Sequence, residues 1–184
     1  SALDLGTVGV GQNLTVTTTA DAITDSGVLT VAGISSFTAG GAAITLDTVT
    51  NAFTGAVNLS NTGANAVVLN AGSALDLGTV GVGQNLTVTT ATGNITDSGV
   101  ITVGGTSSFT TTAANATIVL DQVSSFTGAV SLATNGGTAD ATLINSAIAL
   151  DLGTVTVGRN LIATATTGNI TDSGVITVGG TSSF

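Results

Sequence analysis

The chain has 184 residues and a formal net charge of -9, from ten Asp and a single basic residue, Arg159. With no basic patch to neutralise phosphates, nucleic-acid binding is not expected, and because every apolar run falls short of a spanning helix, membrane insertion is not expected either. His, Cys, Lys, Tyr and Glu are all missing, which removes most general bases, every thiol nucleophile and the common transition-metal ligands.

The sequence repeats itself over a long period. The stretch 94–109, NITDSGVITVGGTSSF, returns without change at 169–184, and a near copy occupies 22–37. The motif LDLGTV begins at Leu3, Leu75 and Leu150, which sets the length of the repeat. Self-similarity at a fixed long period is typical of a solenoid or an array. Both ends fall inside a repeat, so we expect one segment of a longer array.

The residue types within the repeat indicate strands. Val, Ile and Thr suit pleated sheets, and the 26 Gly disfavour helices. Units of about 22 to 30 residues hold three short alternating strands with Gly, Asn or Asp at the bends, as in one turn of a parallel β-helix. The predicted fold is therefore all-β, a parallel β-solenoid with three strands per coil. The predicted coils are 1–21 (partial), 22–43, 44–65, 66–93, 94–115, 116–138, 139–168 and 169–184 (partial).

An Asp or Asn recurs where a short run with apolar residues ends. We expect these side chains to form a structural ladder at one corner, each bonded to backbone two residues further on. Two alternatives are a cation-binding ladder of the Asp members and a catalytic carboxylate pair. Because Asn replaces Asp freely, the structural role is favoured, and no catalytic, cofactor-binding or metal residue is assigned. The corner positions are Asp25, Asp47, Asn70, Asp97, Asp121, Asn145 and Asp172.

Strand alternation predicts which side chains lie inside. Leu86 and Val88 should point inward, with Thr87 and Thr89 outward. All five Phe are embedded in strand sequence, so they are predicted to fill the core, and identical side chains are expected to meet every third coil. The predicted core Phe are Phe37, Phe109 and Phe184 in one equivalent place, and Phe53 and Phe126 in another.

Several motifs carry a family resemblance. NLTVTT, GNITDSGVITVGGTSSF, ITLD, FTGAVNLS and ALDLGTV resemble those of the very long bacterial surface proteins of the filamentous haemagglutinin type, over essentially the whole chain. The resemblance implies an exported adhesin, often delivered by two-partner secretion, whose shaft is a right-handed parallel β-helix. It assigns an adhesive role to no residue.

We therefore expect a structural shaft segment of an extracellular bacterial adhesin or matrix fibre, at the cell surface, mediating cell-surface or cell-cell attachment. Enzyme activity and cofactors are not expected. The expected partners are neighbouring repeats of the same chain, with end-to-end or lateral self-association, and surface glycans. One alternative is a carbohydrate-binding or carbohydrate-active β-helix, which would need a groove of clustered, non-repeating polar residues. Another is an ice-binding face, which would need a regular Thr-x-Thr row.

Overall fold

A computed structural model describes residues 1–146 and 149–184, so Ala147 and Ile148 of the predicted coil 139–168 lie outside the described residues. The described part is all-β and contains no helix; within it there is accordingly no helix that could cross a membrane. Every strand pair is parallel. The predicted β-solenoid with three strands per coil is confirmed.

The strands, numbered in chain order, form two ten-stranded sheets and one three-stranded sheet. They are β1 Leu3–Asp4, β2 Val8–Val10, β3 Leu14–Thr17, β4 Ile23–Thr24, β5 Leu29–Val31, β6 Ser35–Thr38, β7 Ile44–Leu46, β8 Ala52–Phe53, β9 Val57–Ser60, β10 Val67–Ala71, β11 Leu75–Val82, β12 Leu86–Thr90, β13 Ile95–Asp97, β14 Ile101–Val103, β15 Ser107–Ala114, β16 Ile118–Phe126, β17 Val130–Asn135, β18 Ala141–Asn145, β19 Leu150–Val157, β20 Leu161–Ala165, β21 Ile170–Asp172, β22 Ile176–Val178 and β23 Ser182–Ser183.

The coils are shorter and more numerous than predicted. Strands β10 and β12 pair with each other, as do β18 and β20, so the predicted coils 66–93 and 139–168 each contain more than one turn. The solenoid has about nine turns, which at ~4.8 Å per turn makes a rod of about 43 Å. Successive partners along the first ten-stranded sheet are Leu3, Ile23, Ile44, Val67, Leu86, Ser107, Val130, Leu152 and Asp172.

The long repeat does not match a whole number of coils. Leu3 starts the series of partners in the first ten-stranded sheet, whereas Leu75, which begins the next copy of LDLGTV, falls between Val67 and Leu86 of that series. One repeat therefore covers about three and a half coils. Strands β1 and β19, which carry the motif, lie in one ten-stranded sheet, while β11, with the same motif, lies in the other. The expectation that identical side chains meet every third coil was wrong, because consecutive copies of the repeat lie on different faces of the rod.

The interior is one continuous cluster of Val, Leu, Ile, Ala and Phe side chains. Leu86 and Val88 are buried and Thr87 is exposed, as alternation predicts. Four of the five Phe lie in this core and form two edge-to-face pairs, Phe37 with Phe53 at 6.2 Å and Phe109 with Phe126 at 6.0 Å between ring centroids. Phe184 is the last residue and is 65% exposed, so it is not part of the described core.

Candidate functional site

The first three members of the predicted corner ladder stack on one another in the structure. The Asp47 amide donates to Asp25 Oδ1 at 2.9 Å, and Asn70 Nδ2 donates to the Asp47 carbonyl oxygen at 2.9 Å. Asp25 lies just after β4, Asp47 just after β7 and Asn70 within β10, three neighbouring strands of one sheet. The structure therefore brings the first three predicted members together.

The remaining members are divided between the two large sheets. Asp97 and Asp121 meet in the second sheet, where the Asp121 amide donates to Asp97 Oδ1 at 2.9 Å. Asn145 lies in that sheet but pairs with Ser124, while Asp172 returns to the first sheet and pairs with Leu152. The prediction of a single seven-member column was wrong. One repeat covers about three and a half coils, so corner residues from consecutive copies lie in different sheets.

Two of the corner side chains, Asp25 and Asp97, bond to the next coil instead of to their own turn. Asp25 and Asp97 accept a backbone N–H from 22 and 24 residues ahead, respectively, where a bond to the second residue along the chain was predicted. Asp4 makes both kinds of bond, accepting from the Gly6 amide at 3.1 Å and the Ser26 amide at 2.9 Å. These oxygens supplement the strand ladders, since each joins one coil to the following coil at the bend, where strand pairing ends.

Sequence reasoning missed a second set of side chains that also accept a backbone N–H from the next coil. Seven Asn each accept, through Oδ1, a backbone N–H from 21 to 23 residues ahead, at 2.8 to 3.2 Å. In Asn61, one of the seven, Nδ2 also donates to carbonyl oxygens; in the other six, no hydrogen bond runs from Nδ2 to a described residue. These six are Asn13, Asn58, Asn85, Asn94, Asn115 and Asn160. A signal was present: four of them directly precede the first residue of β3, β12, β13 or β20. We call these six residues the bridging asparagines.

Asp25 and Asp97 occupy the same place in two copies of the repeat, but their surroundings differ. Asp25 Oδ2 accepts from Asn51 Nδ2 at 2.5 Å, and Asn51 Oδ1 in turn accepts from the Leu29 amide at 2.8 Å. In the copy that contains Asp97, Ser124 replaces Asn51; its Oγ accepts from the Ile101 amide at 3.0 Å. Among the described residues, no side chain takes over the role of Nδ2.

Asp97 consequently carries an unpaired buried oxygen. The residue is 7% exposed, and among the described residues its Oδ2 finds no hydrogen-bond partner. Burial raises the pKa of Asp97 to about 6, and the neighbouring Asp121 carboxylate adds to the rise, although hydrogen bonds from the Asp121 and Gln122 amides oppose it. Chemically, Asp97 is a carboxyl group that can take up or release a proton near neutral pH.

The described residues assemble no carboxylate cluster for a metal. Within 1–146 and 149–184, no three His, Cys, Asp or Glu side chains are grouped so that they could hold a metal ion. Asp47 and Asp121, the partners of the two buried Asp, are themselves exposed. A groove of about 310 Å³ crosses β6, β9 and β11, but its lining, which includes Ser36, Asn58 and Thr79, contains none of the predicted Asp.

The outward Thr row is mixed in composition. The row that passes through Thr45 and Thr87 also contains Val68, Ser108 and Ser131. Along this face, therefore, the Thr side chains do not repeat in every coil.

Comparison with known proteins identifies a repeat family. The family model described as repeats of unknown function (DUF5649) matches residues 1–60, 64–133 and 138–184, nearly the whole chain. Searches of curated proteins and of solved structures returned no match. Together with the stacked parallel strands, the family match identifies a repeat protein of the β-solenoid class.

Proposed function

We propose that the chain, which belongs to the family of repeats of unknown function (DUF5649), is a structural shaft segment of an extracellular bacterial adhesin or matrix fibre. The observation that carries the proposal is the uniform bonding of each coil to the next. Strand ladders, bridging side chains and one apolar core run through about nine turns. Such a rod transmits force and sets distance, which is what a shaft for cell-surface or cell-cell attachment requires.

The filamentous haemagglutinin type is the finer form of this proposal, supported by the shared repeat motifs and by the solenoid. Attachment would then depend on end-to-end or lateral association of shafts, or on contact with surface glycans. The charge of -9, with one Arg, opposes lateral association at low salt, so association of shafts should strengthen as salt screens the charge.

A localisation experiment tests the extracellular part of the proposal. Antibodies raised against residues 1–184 should label intact cells of the native organism as strongly as they label permeabilised cells. Labelling that requires permeabilisation would show that the protein lies inside the cell and would refute the proposal. Loss of attachment in a strain that lacks the gene, restored by complementation, is the expected functional result.

A deletion tests the shaft itself. Removal of residues 12–83 joins Gly11 to Gln84 and leaves the local sequence SALDLGTVGVGQNLTVTT intact across the junction. We expect a folded rod that is shorter by about three and a half coils, or about 17 Å, in small-angle X-ray scattering. The control deletion, 12–47, joins the chain out of phase, so residues 1–11 should no longer pair with the coil that follows them, while the later coils still form a rod. An unchanged maximum dimension after the in-phase deletion would contradict a linear shaft.

A further inference from the structure

The thirteen Asn of the chain differ in what their side-chain nitrogen does. Six of them donate from Nδ2 to a carboxylate or carbonyl oxygen: Asn51, Asn61, Asn65, Asn70, Asn135 and Asn145. The other seven are the six bridging asparagines and Asn169, and from their Nδ2 no hydrogen bond runs to any described residue. The two groups therefore differ in whether Nδ2 is already engaged in a hydrogen bond within the described structure.

The hydrogen bond that a bridging asparagine accepts fixes which way its side-chain amide faces. Asn85 is exposed, and its Oδ1 accepts the Thr106 backbone N–H at 3.0 Å. Only the oxygen of an amide can accept that bond, so the oxygen must face the next coil. Because Oδ1 and Nδ2 lie on opposite sides of the same planar group, Nδ2 points away from the coil it bridges.

The two groups of Asn also differ in the residue that lies two positions further along the sequence. Of the seven Asn whose Nδ2 has no described partner, six begin an Asn-x-Ser/Thr triplet: Asn13, Asn58, Asn85, Asn94, Asn115 and Asn169. None of the six donating Asn is followed by Ser or Thr at that distance. Asn160 is the exception among the bridging asparagines, with Ile162 in place of the hydroxyl residue. Since Asn160 makes the same coil-to-coil bond, that bond alone does not require the hydroxyl.

We propose that Asn13, Asn58, Asn85, Asn94, Asn115 and Asn169 are acceptor sites for N-linked glycosylation. The hydroxyl residue at the third position of the triplet is exposed in four cases, Thr15, Ser60, Thr87 and Thr171, and half-buried in two, Thr96 and Thr117. Three of the triplets have Leu in the middle, as at Asn85, where Leu86 is buried in the core. The acceptor role does not depend on whether the rod serves adhesion.

The transfer reaction needs a sugar activated as a glycosyl diphosphate. A bond forms between Nδ2 and the anomeric carbon of the sugar, the bond from that carbon to the diphosphate oxygen breaks, and one amide proton is lost. The diphosphate leaves with its electron pair, so no oxidant or reductant is needed. The product keeps Oδ1 as an acceptor, and the bond from Asn85 to the Thr106 amide survives the modification.

Because one repeat covers about three and a half coils, consecutive copies of a triplet lie on different faces of the rod, and the sugars would be distributed around it. Asn13 and Asn58 accompany strands β3 and β9 of one large sheet, whereas Asn85 precedes β12 of the other. Hydrated groups would therefore cover two faces of the shaft instead of forming a single stripe.

Mass spectrometry of the protein isolated from its native cells tests the proposal. Cleavage before Asp is suitable, because the chain has ten Asp but only one basic residue. We expect a sugar mass on the triplet Asn and none on the six donating Asn or on Asn160. An increment of one monosaccharide indicates a nucleotide-sugar donor, and a block of several sugars indicates a preassembled lipid-linked donor; either supports the proposal. Unmodified Asn at all six triplets would overturn it.

Two matched variants, produced in the native cells, separate recognition from folding. Thr87→Val removes the exposed hydroxyl but keeps the branched shape and the Asn85 bridge, and it should abolish the sugar at Asn85 alone. Ile162→Thr completes a triplet at Asn160 and should add a sugar there. If Asn85 keeps its sugar in Thr87→Val, or if Asn160 stays unmodified in Ile162→Thr, the triplet is not what the transferase reads.

Discussion

Exchange of Asn51 and Ser124 between the two copies of the repeat should transfer the unpaired carboxylate oxygen from one copy to the other. In Ser124→Asn, Oδ1 of the new side chain can accept from the Ile101 amide, as Asn51 accepts from Leu29, while Nδ2 reaches Asp97 Oδ2. In Asn51→Ser, the hydroxyl keeps the backbone bond, but Asp25 Oδ2 loses its donor.

The magnitude follows from the linkage between protonation and folding. A pKa of about 6 for Asp97 in the folded chain, against an ordinary value of 3.8, corresponds to a loss of about 2 kcal/mol of stability as pH rises from 4 to 7. The sign is fixed by burial, which favours the neutral acid, so this stability is present below pH 4 and is lost through pH 6. The side-chain amide introduced by Ser124→Asn should recover about 1 to 3 kcal/mol at pH 7 and little at pH 4.

Two measurements check this expectation. The carboxyl carbon shift of Asp97, followed by NMR between pH 3 and 8, should titrate at lower pH in Ser124→Asn than in the native chain. Urea unfolding at pH 4 and pH 7 should show a gain confined to pH 7, and Asn51→Ser should show a loss at pH 7 of about 1 to 3 kcal/mol. If Ser124→Asn leaves the titration of Asp97 unchanged, the missing donor does not cause the perturbation.

Two further substitutions test the core and the stacking of the bends. Phe109→Ala removes a fully buried ring packed against Phe126 and should lower the free energy of urea unfolding by about 3 to 5 kcal/mol; a cost below about 1 kcal/mol would mean that the core collapses around the site. Gly128→Ala places Cβ 2.5 Å from the Gly105 carbonyl oxygen, so thermal unfolding should show a loss of about 1 to 3 kcal/mol, whereas Gly137→Ala, with nothing within 4 Å, should be nearly neutral. Equal melting temperatures for the two Gly variants would contradict the close stacking of the bends.

Much of the architecture was accessible from local patterns. The two-residue alternation that buries Leu86 and Val88 is a property of any strand. The Gly-rich bends and the long repeat can be read directly from the amino-acid sequence. The placement of Phe37 and Phe109 in the core follows from the same alternation. These features depend on neighbours a few residues apart, so they survive without knowledge of the fold.

The candidate site was less accessible, because it depends on register between coils. The sequence identified Asp97 as a corner residue, but the donor to its Oδ1 comes from 24 residues ahead, and the missing donor to Oδ2 follows from Ser124, which lies further still along the chain. The bridging role of Asn85 was missed for the same reason, since the Thr106 amide is 21 residues distant.

By itself, the amino-acid sequence determined a parallel β-solenoid, its apolar interior and the Asn and Asp at its bends. Only the tertiary structure decided how many residues close each coil and that copies of the repeat alternate between faces. It also decided that Oδ2 of Asp25 has a hydrogen-bond donor, whereas Oδ2 of Asp97 has none among the described residues. Alternation is set by the geometry of single residues, whereas register is set by how much chain each bend consumes once the whole core has packed. A small difference in the length of a bend is invisible in composition, yet it selects the neighbour of every corner side chain.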